Sequence, residues 1–235
     1  MDIGSQNNSV VRFSSVKASS QGSLSGTVHV SGKQVVRTEW EYEYWLVADS
    51  QTMKAAIFFN IGHHVFNALI GRETITYSNG EKETKNWKPV STFGVWPEQN
   101  QFDANQPWKI VDGGIKKNTE DEVDVIKNIL AGSLNGIYAV RKVKVSESLM
   151  KTITDNAGKS GCSATKYSVA GLGINCSCAT FATRMWHVVT GEDFRPYGLF
   201  ERDPLSIFNA INQFNYRSNN QFAYKNNISE SLFLK

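Results

Sequence analysis

The sequence has little of what would make its class obvious. Cysteine occurs three times in 235 residues, at Cys162, Cys176 and Cys178. That is too few, and too irregularly spaced, for the framework of a disulfide-stapled secreted domain, and the odd count leaves at least one thiol without an intrachain bridge. Charge of one sign does not dominate either. The formal net charge is +3 and Lys and Arg form no dense stripe, which argues against nucleic acid as a partner. No apolar run is long enough for a membrane span, and residues 1–10 lack a basic start followed by a hydrophobic core. The expectation is a protein made in the cytoplasm without a signal peptide, which would need a dedicated route to leave the cell. No segment repeats in tandem.

What is present is an ordinary globular composition, 40% hydrophobic and 20% charged, in a chain long enough for one sizeable core. Residues 1–22, rich in Ser, Asn and Gln, are expected to form a loosely ordered segment, and 23–235 a single domain. Strands are expected at 27–30 and 34–36, paired around Ser31-Gly32-Lys33. The run Glu39-Trp40-Glu41-Tyr42-Glu43-Tyr44-Trp45 alternates acidic and aromatic side chains, the mark of a strand with one wet face. Further short strands are expected at 55–59, 65–70, 74–77 and 92–96, with turns at Gly71 and Ser78-Asn79-Gly80 and a stop at Pro97. With no helical pattern between them, they imply an antiparallel sheet.

Residues 98–118 read as a polar loop with Trp108 and Ile110 as anchors. A helix then runs to Leu130, capped by Asn118 or Thr119. Its apolar side carries Val123, Ile126 and Leu130, and Glu120, Asp121 and Glu122 lie at its favourable amino end. Residues 138–145 alternate again, and Ser146 opens a second helix carrying Leu149, Met150 and Ile153. A short helix with Leu205, Phe208 and Ile211 follows Asp203-Pro204. The C-terminal part is expected to cover the core.

The most informative stretch lies between Gly171 and Gly191, where a loop tightens into a helix that begins at Cys178 and ends on a glycine cap. Cys178, Phe181, Met185 and Val189 recur at helical spacing and form one buried stripe. A thiol at the first turn meets unpaired backbone N–H groups and the positive helix end, both of which favour thiolate. Ser177 or Asn175 can cap this helix, and Cys176 belongs to the preceding loop. The plain alternative is that both cysteines are small buried hydrophobes. A metal site built from Cys162, Cys176, Cys178 and a histidine is disfavoured, because Cys-x-Cys is too short for a zinc knuckle and no second pair exists.

Of the four histidines, His63 and His64 sit together ahead of a strand. His64 shares its strand face with Phe66, Ala68 and Ile70, and His63 shares the other with Val65, Asn67 and Leu69. The wholly apolar face is expected to meet the helices, which points His64 at Cys178 as the base that takes the thiol proton. His187 lies roughly 13 Å along the helix axis from Cys178, too far to serve. His29 has no supporting context.

Gly62-His63-His64-Val65-Phe66 with Leu69, then Phe93-Gly94-Val95-Trp96-Pro97, then Tyr167 ahead of Asn175-Cys176-Ser177-Cys178-Ala179-Thr180-Phe181-Ala182, resembles circularly permuted NlpC-type members of the papain-like cysteine peptidases. The order of histidine strand before cysteine helix is that of the permuted forms. The likeness spans about 55–191, and it is similar to the TseH group of type VI secretion effectors. The doubled histidine and doubled cysteine depart from the family pattern and leave His63 or His64, Cys176 or Cys178, open on resemblance alone.

The resemblance implies an α+β papain-like fold, with antiparallel sheet packed on helices, Cys178 as nucleophile and His64 as base. Glu73 and Ser91 are candidates for the residue that orients the imidazole. The Cys178 N–H, helped by the Tyr167 hydroxyl, is expected to bind the oxyanion. The implied activity is an endopeptidase or amidase on peptidoglycan peptides, acting in the periplasm of a target cell after export by a dedicated secretion system. It requires no metal or organic cofactor, and implies a secretion carrier and an immunity protein as partners. A protein deamidase or lipid acyltransferase could use the same pair, and a third class is a binding module that keeps the fold without a reaction.

Overall fold

The computed structural model describes residues 33–55, 59–62, 64–98, 109–133, 137–157, 163–167, 175–194 and 204–218, with positions 101, 103 and 106. The chain divides into two compact units, Met1–Lys33 and Gln34–Lys235, and everything below concerns the second. The strand expected at 27–30 lies outside the described residues.

Gln34–Lys235 is a mixed α+β unit. In chain order its elements are β1 (Val35–Asp49), β2 (Thr52–Ala55), β3 (Phe59–Gly62), β4 (Val65–Tyr77), β5 (Lys82–Thr84), β6 (Lys88–Pro97), β7 (Val111–Lys117), α1 (Glu120–Leu130), β8 (Tyr138–Val145), α2 (Glu147–Asn156), β9 (Ser163–Tyr167), β10 (Asn175–Cys176), α3 (Cys178–Thr190) and α4 (Pro204–Ser218). Eight strands make one sheet in the order β10-β9-β7-β6-β4-β1-β8, with β5 paired to β4, and β2 and β3 form a separate hairpin. The pairings are antiparallel except β10 with β9.

Two strands run longer than their sequence suggests. Residues 34–36 lead into a much longer strand: Val35 opens β1, which pairs with β4 from Val35↔Tyr77 to Ala48↔Val65. Gly71 is not a turn, because β4 passes straight through it opposite Tyr42. A Cβ at Gly71 would lie 2.9 Å from Val90 Cγ2 and 3.2 Å from Tyr42 Cδ1, so the glycine makes room for two neighbours on the sheet. The expected turn at Ser78-Asn79-Gly80 is present, with Gly80 at φ 82 and a Tyr77 N–H to Glu81 carbonyl bond of 2.9 Å. Pro97 closes β6 from inside the strand. The loop expected over 98–118 contains β7, whose pairing with β6 brings Gly114 opposite Trp96.

Alternation along the strands sorts side chains onto two faces. On one, Tyr44, Leu46, Val65, Leu69, Phe93 and Val95 pack with Leu149 and Ile153 of α2, Phe181, Met185 and Trp186 of α3, and Ile207 and Ile211 of α4. On the other, Trp45, Val47, Phe66, Ala68 and Ile70 pack with Ile126 of α1. Three helices thus cover one face and α1 the other, each buried apolar side chain contributing about 1.5–3 kcal/mol before the entropy of ordering it is set against it. Beyond this cover the outer half of β1 is exposed. Arg141, fully buried, ties β8 to the chain after α3 through Glu192, Nη2 to Oε1 at 2.6 Å, and to α4 through Asn215 at 3.1 Å.

Helix ends follow the local signals. Thr119, Ser146 and Ser177 are caps whose hydroxyls accept from Glu122, Leu149 and Thr180 N–H, and Gly191 ends α3 in the left-handed region. No helix among the described residues is long and apolar enough to cross a membrane.

Candidate active site

Cys178 is the first residue of α3, held there by Ser177, whose Oγ accepts the Thr180 N–H at 3.0 Å. The Phe181 N–H already bonds the Ser177 carbonyl, so the N–H groups of Cys178 and Ala179 are the ones the helix leaves without an internal acceptor. The stripe Cys178, Phe181, Met185 and Val189 is buried throughout. His64 immediately precedes β4, one residue before the first β1–β4 pair at Ala48↔Val65. Its imidazole and the Val65 backbone stand near enough to the Cys178 sulfur to stabilise its charge. Tyr167, at the end of β9, directs its hydroxyl to Cys178 Sγ at 4.0 Å.

His64 reaches the sulfur for a different reason from the parity expected of it. Its strand-mates Phe66, Ala68 and Ile70 face α1, and α3 packs on the side of Val65 and Leu69. His64 keeps to the face of Phe66, the two rings stacked with centres 5.6 Å apart, and its carbonyl still accepts the Asp49 N–H of β1 at 3.1 Å; it stands at the end of the sheet, from which its ring also acts on the cysteine. One ring nitrogen can therefore meet the cysteine helix while the other meets α1.

That second contact supplies a residue the sequence did not point to. Glu122 Oε1 lies 3.0 Å from His64 Nε2, which leaves Nδ1 as the ring nitrogen for the sulfur. Trp96 Nε1 donates to the same oxygen at 3.1 Å, and its half-buried indole covers the imidazole with ring centres 4.1 Å apart. Gly94 makes this possible: a Cβ there would sit 2.0 Å from Glu122 Oε1 and 3.0 Å from His64 Nε2. The carboxylate, 1% exposed, is tolerable in the interior because a charge partner and an indole N–H meet it. Thr119-Glu120-Asp121-Glu122 is a capping-box pattern, in which the glutamate would return to its own cap. The favourable amino end of the helix likewise gives Glu122 a local explanation, which conceals its tertiary role.

Glu73 and Ser91 do not occupy this place. Glu73 pairs with Trp40 on β1, roughly 30 Å along β4 from His64 at strand rise. Ser91 pairs with Leu69, about 16 Å along β6 from Trp96, whose ring covers His64. Asn67 is buried on the α3 side of the sheet. His63 lies outside the described residues, as do Cys162 and the side chain of Cys176. His187 is exposed on the last turn of α3. Among the described residues no group of three or more His, Cys, Asp or Glu is arranged to hold a metal ion.

The electrostatics of the cluster favour a separated charge pair. Burial, the largest influence, works against a charged imidazole, but hydrogen bonds to Cys178 and Glu122 and their negative charge outweigh it and raise the His64 pKa to about 9. Burial likewise pushes the Cys178 thiol up, and the hydrogen bond and charge of His64, the Val65 backbone and the Tyr167 hydroxyl reverse it, leaving the thiol below its ordinary value. Tyr167 is held well above its ordinary value by burial first and then by the Cys178 charge and hydrogen bond. The group can thus store a thiolate beside an imidazolium, the form a cysteine nucleophile uses. Cys178 is only 3% exposed and His64 8%, so an incoming carbonyl must displace side chains that now cover the sulfur.

These observations define a mixed α+β protein with a Cys-His-Glu cluster between two helix starts. Compared with family models, with curated proteins and with solved structures, the chain finds no match.

Proposed function

We propose that the chain is a papain-like cysteine hydrolase that cleaves amide bonds in peptidoglycan peptides. The observation that carries the chemistry is the contact of the Cys178 sulfur at a helix start with an imidazole whose far nitrogen is held by a buried carboxylate. The substrate class rests on the resemblance of the His64 and Cys178 segments to permuted NlpC-type peptidases. Export to the periplasm of a target cell by a dedicated secretion system, a secretion carrier and a protective immunity protein belong to the same reading.

In this mechanism the Cys178 thiolate attacks the amide carbonyl carbon. The Cys178 N–H and the Tyr167 hydroxyl receive the charge that develops on oxygen. As the tetrahedral intermediate collapses, the C–N bond breaks and His64 gives its proton to the departing amine. Neutral His64 then takes a proton from water, whose oxygen attacks the thioester and releases the carboxylic acid. Glu122 acts through His64, as a positioning residue that keeps Nδ1 toward the sulfur and supports the ring's positive charge.

The test is mass spectrometry of purified sacculi digested by wild type and by Cys178→Ala. The expected result is release of muropeptide fragments with new carboxyl ends by wild type and none by the variant. Intact sacculi beside a reactive Cys178 would redirect the reading to a protein deamidase or lipid acyltransferase, which begin with the same thioester. The 3% exposure of Cys178 favours a second reading, a binding module on the same scaffold, and that reading predicts a thiol with the pH response of ordinary cysteine.

A further inference from the structure

Two buried oxygens beside this cluster, Glu122 Oε2 and Thr92 Oγ1, have no hydrogen-bond partner among the described residues. They belong to one seam. Thr92 pairs with Ala68, whose side chain packs toward α1, so by alternation Thr92, Gly94 and Trp96 all present the α1 side of β6. Glu122 stands directly over Gly94. Trp96, on one side of that glycine, binds Oε1, and Thr92 lies on the other side, roughly 7 Å along the strand.

The backbone fixes the same two elements to each other at this point. The Thr92 N–H donates to Asn118 Oδ1 at 2.9 Å, and the Asn118 N–H returns to the Thr92 carbonyl at 3.2 Å. Asn118 takes the left-handed conformation, φ 55, that sends the chain straight into α1. Thr92 is 0% exposed and Glu122 1%, so bulk solvent does not satisfy either oxygen. A carboxylate oxygen that accepts and a hydroxyl that can donate, each buried on the same α1 side of β6, are the groups an internal water joins.

We propose that Thr92 is a positioning residue for Glu122: one buried water links its hydroxyl to Oε2 and so holds Oε1 on His64. This rests on the reading of Cys178 and His64 as nucleophile and base, and it extends their support across α1 into β6. Thr92 touches neither substrate nor sulfur. Its effect reaches the thiolate only through the carboxylate and the imidazole.

The test compares the pH dependence of Cys178 alkylation by iodoacetamide, followed by intact-protein mass spectrometry, in wild type, Thr92→Val and Thr92→Ser. Valine keeps the shape and removes the hydroxyl, and serine restores it. A carboxylate deprived of a donor is less stable as the anion, so the charge pair it supports is lost at higher pH in Thr92→Val. The expected acid limb moves up by about half a pH unit, an about threefold lower rate at a fixed pH on that limb, and Thr92→Ser superimposes on wild type. If Thr92→Val fails to fold, Thr92→Ala takes its place with the same expected shift.

A wild-type profile with a depressed midpoint that Thr92→Val reproduces, or a serine variant shifted like the valine one, overturns the inference and leaves the nucleophile reading standing. A wild-type profile like that of free cysteine overturns both. A crystal structure carries the second arm: ordered density within hydrogen-bond distance of both Thr92 Oγ1 and Glu122 Oε2 supports the bridge, and a dry seam overturns it.

Discussion

The first turns of α1 and α3 lie on opposite faces of the sheet and are built to one local plan. Each opens on an extended cap residue, Thr119 or Ser177, whose hydroxyl accepts the N–H three residues on. Each presents one chemically charged side chain to His64, the Glu122 carboxylate from α1 and the Cys178 sulfur from α3. The difference lies in who the helix end favours. The positive end of α3 supports a thiolate that has to give up its electron pair to a substrate, whereas that of α1 supports the carboxylate that holds the ring. Equivalent helix starts can therefore provide a reacting group and its support, with the imidazole at the sheet's end joining them.

Removing the carboxylate separates the two roles most sharply. Glu122→Gln keeps the shape and an oxygen for Trp96 but loses the charge beside His64, and about a hundredfold loss of hydrolysis is expected from the loss of this outer contact. A purely structural glutamate would not move the pH profile, so the profile is the readout. In wild type the imidazolium needed to protonate the amine persists until pH passes about 9, and the thiolate persists down to a pH below the ordinary cysteine range. Activity is expected across that window, falling on the alkaline side as His64 loses its proton. Since Glu122 raises the ring's proton affinity, the alkaline limb of Glu122→Gln moves to lower pH. An unchanged limb would mean the carboxylate does not act through the ring.

Next comes Gly94→Ala. The added methyl meets Glu122 Oε1 at 2.0 Å, so the carboxylate or the strand has to shift, with an overpacking cost of about 1–3 kcal/mol in chemical denaturation. The same alkaline shift as in Glu122→Gln is expected, and a destabilised variant with a wild-type pH profile would show that Gly94 serves packing alone. The smallest effects belong to the caps. Ser177→Ala should cost about 1 kcal/mol and slow alkylation of Cys178. Thr119→Ala should cost less, because its bond to the Glu122 N–H is 3.4 Å against 3.0 Å at Ser177. Equal losses would break the ranking.

The two helix starts also differ in how legible they were. Around α3 the glycines, the cap and the apolar stripe all report local structure, and local rules sufficed to place Cys178 at the first turn. The helix from Thr119 to Leu130 is equally readable as a helix, but Glu122 is explained locally as one of three acidic residues at its favourable amino end, so nothing in the segment calls for a distant partner. Glu73 and Ser91 are expected on strands neighbouring the histidine, and the length of β4 and β6 carries them away from the site. Parity puts His64 on the face of Phe66, where the stacked rings lie, but that face meets α1 and not the cysteine helix; the ring acts on Cys178 because His64 stands at the sheet's end. Gly71 and the Gly113-Gly114 pair in β7 looked like loop residues. In the fold Gly71 and Gly113 are close approaches, with a Cβ at Gly113 falling 2.6 Å from Tyr167 Cβ.

The pH response of Cys178 alkylation tests the charge pair most directly, because its shape does not depend on how deeply the sulfur is covered. If Cys178 is a thiolate held by His64, the rate reaches half its maximum at a pH below the ordinary cysteine range, and His64→Ala moves that midpoint up. A wild-type midpoint at or above that of an ordinary thiol would contradict it.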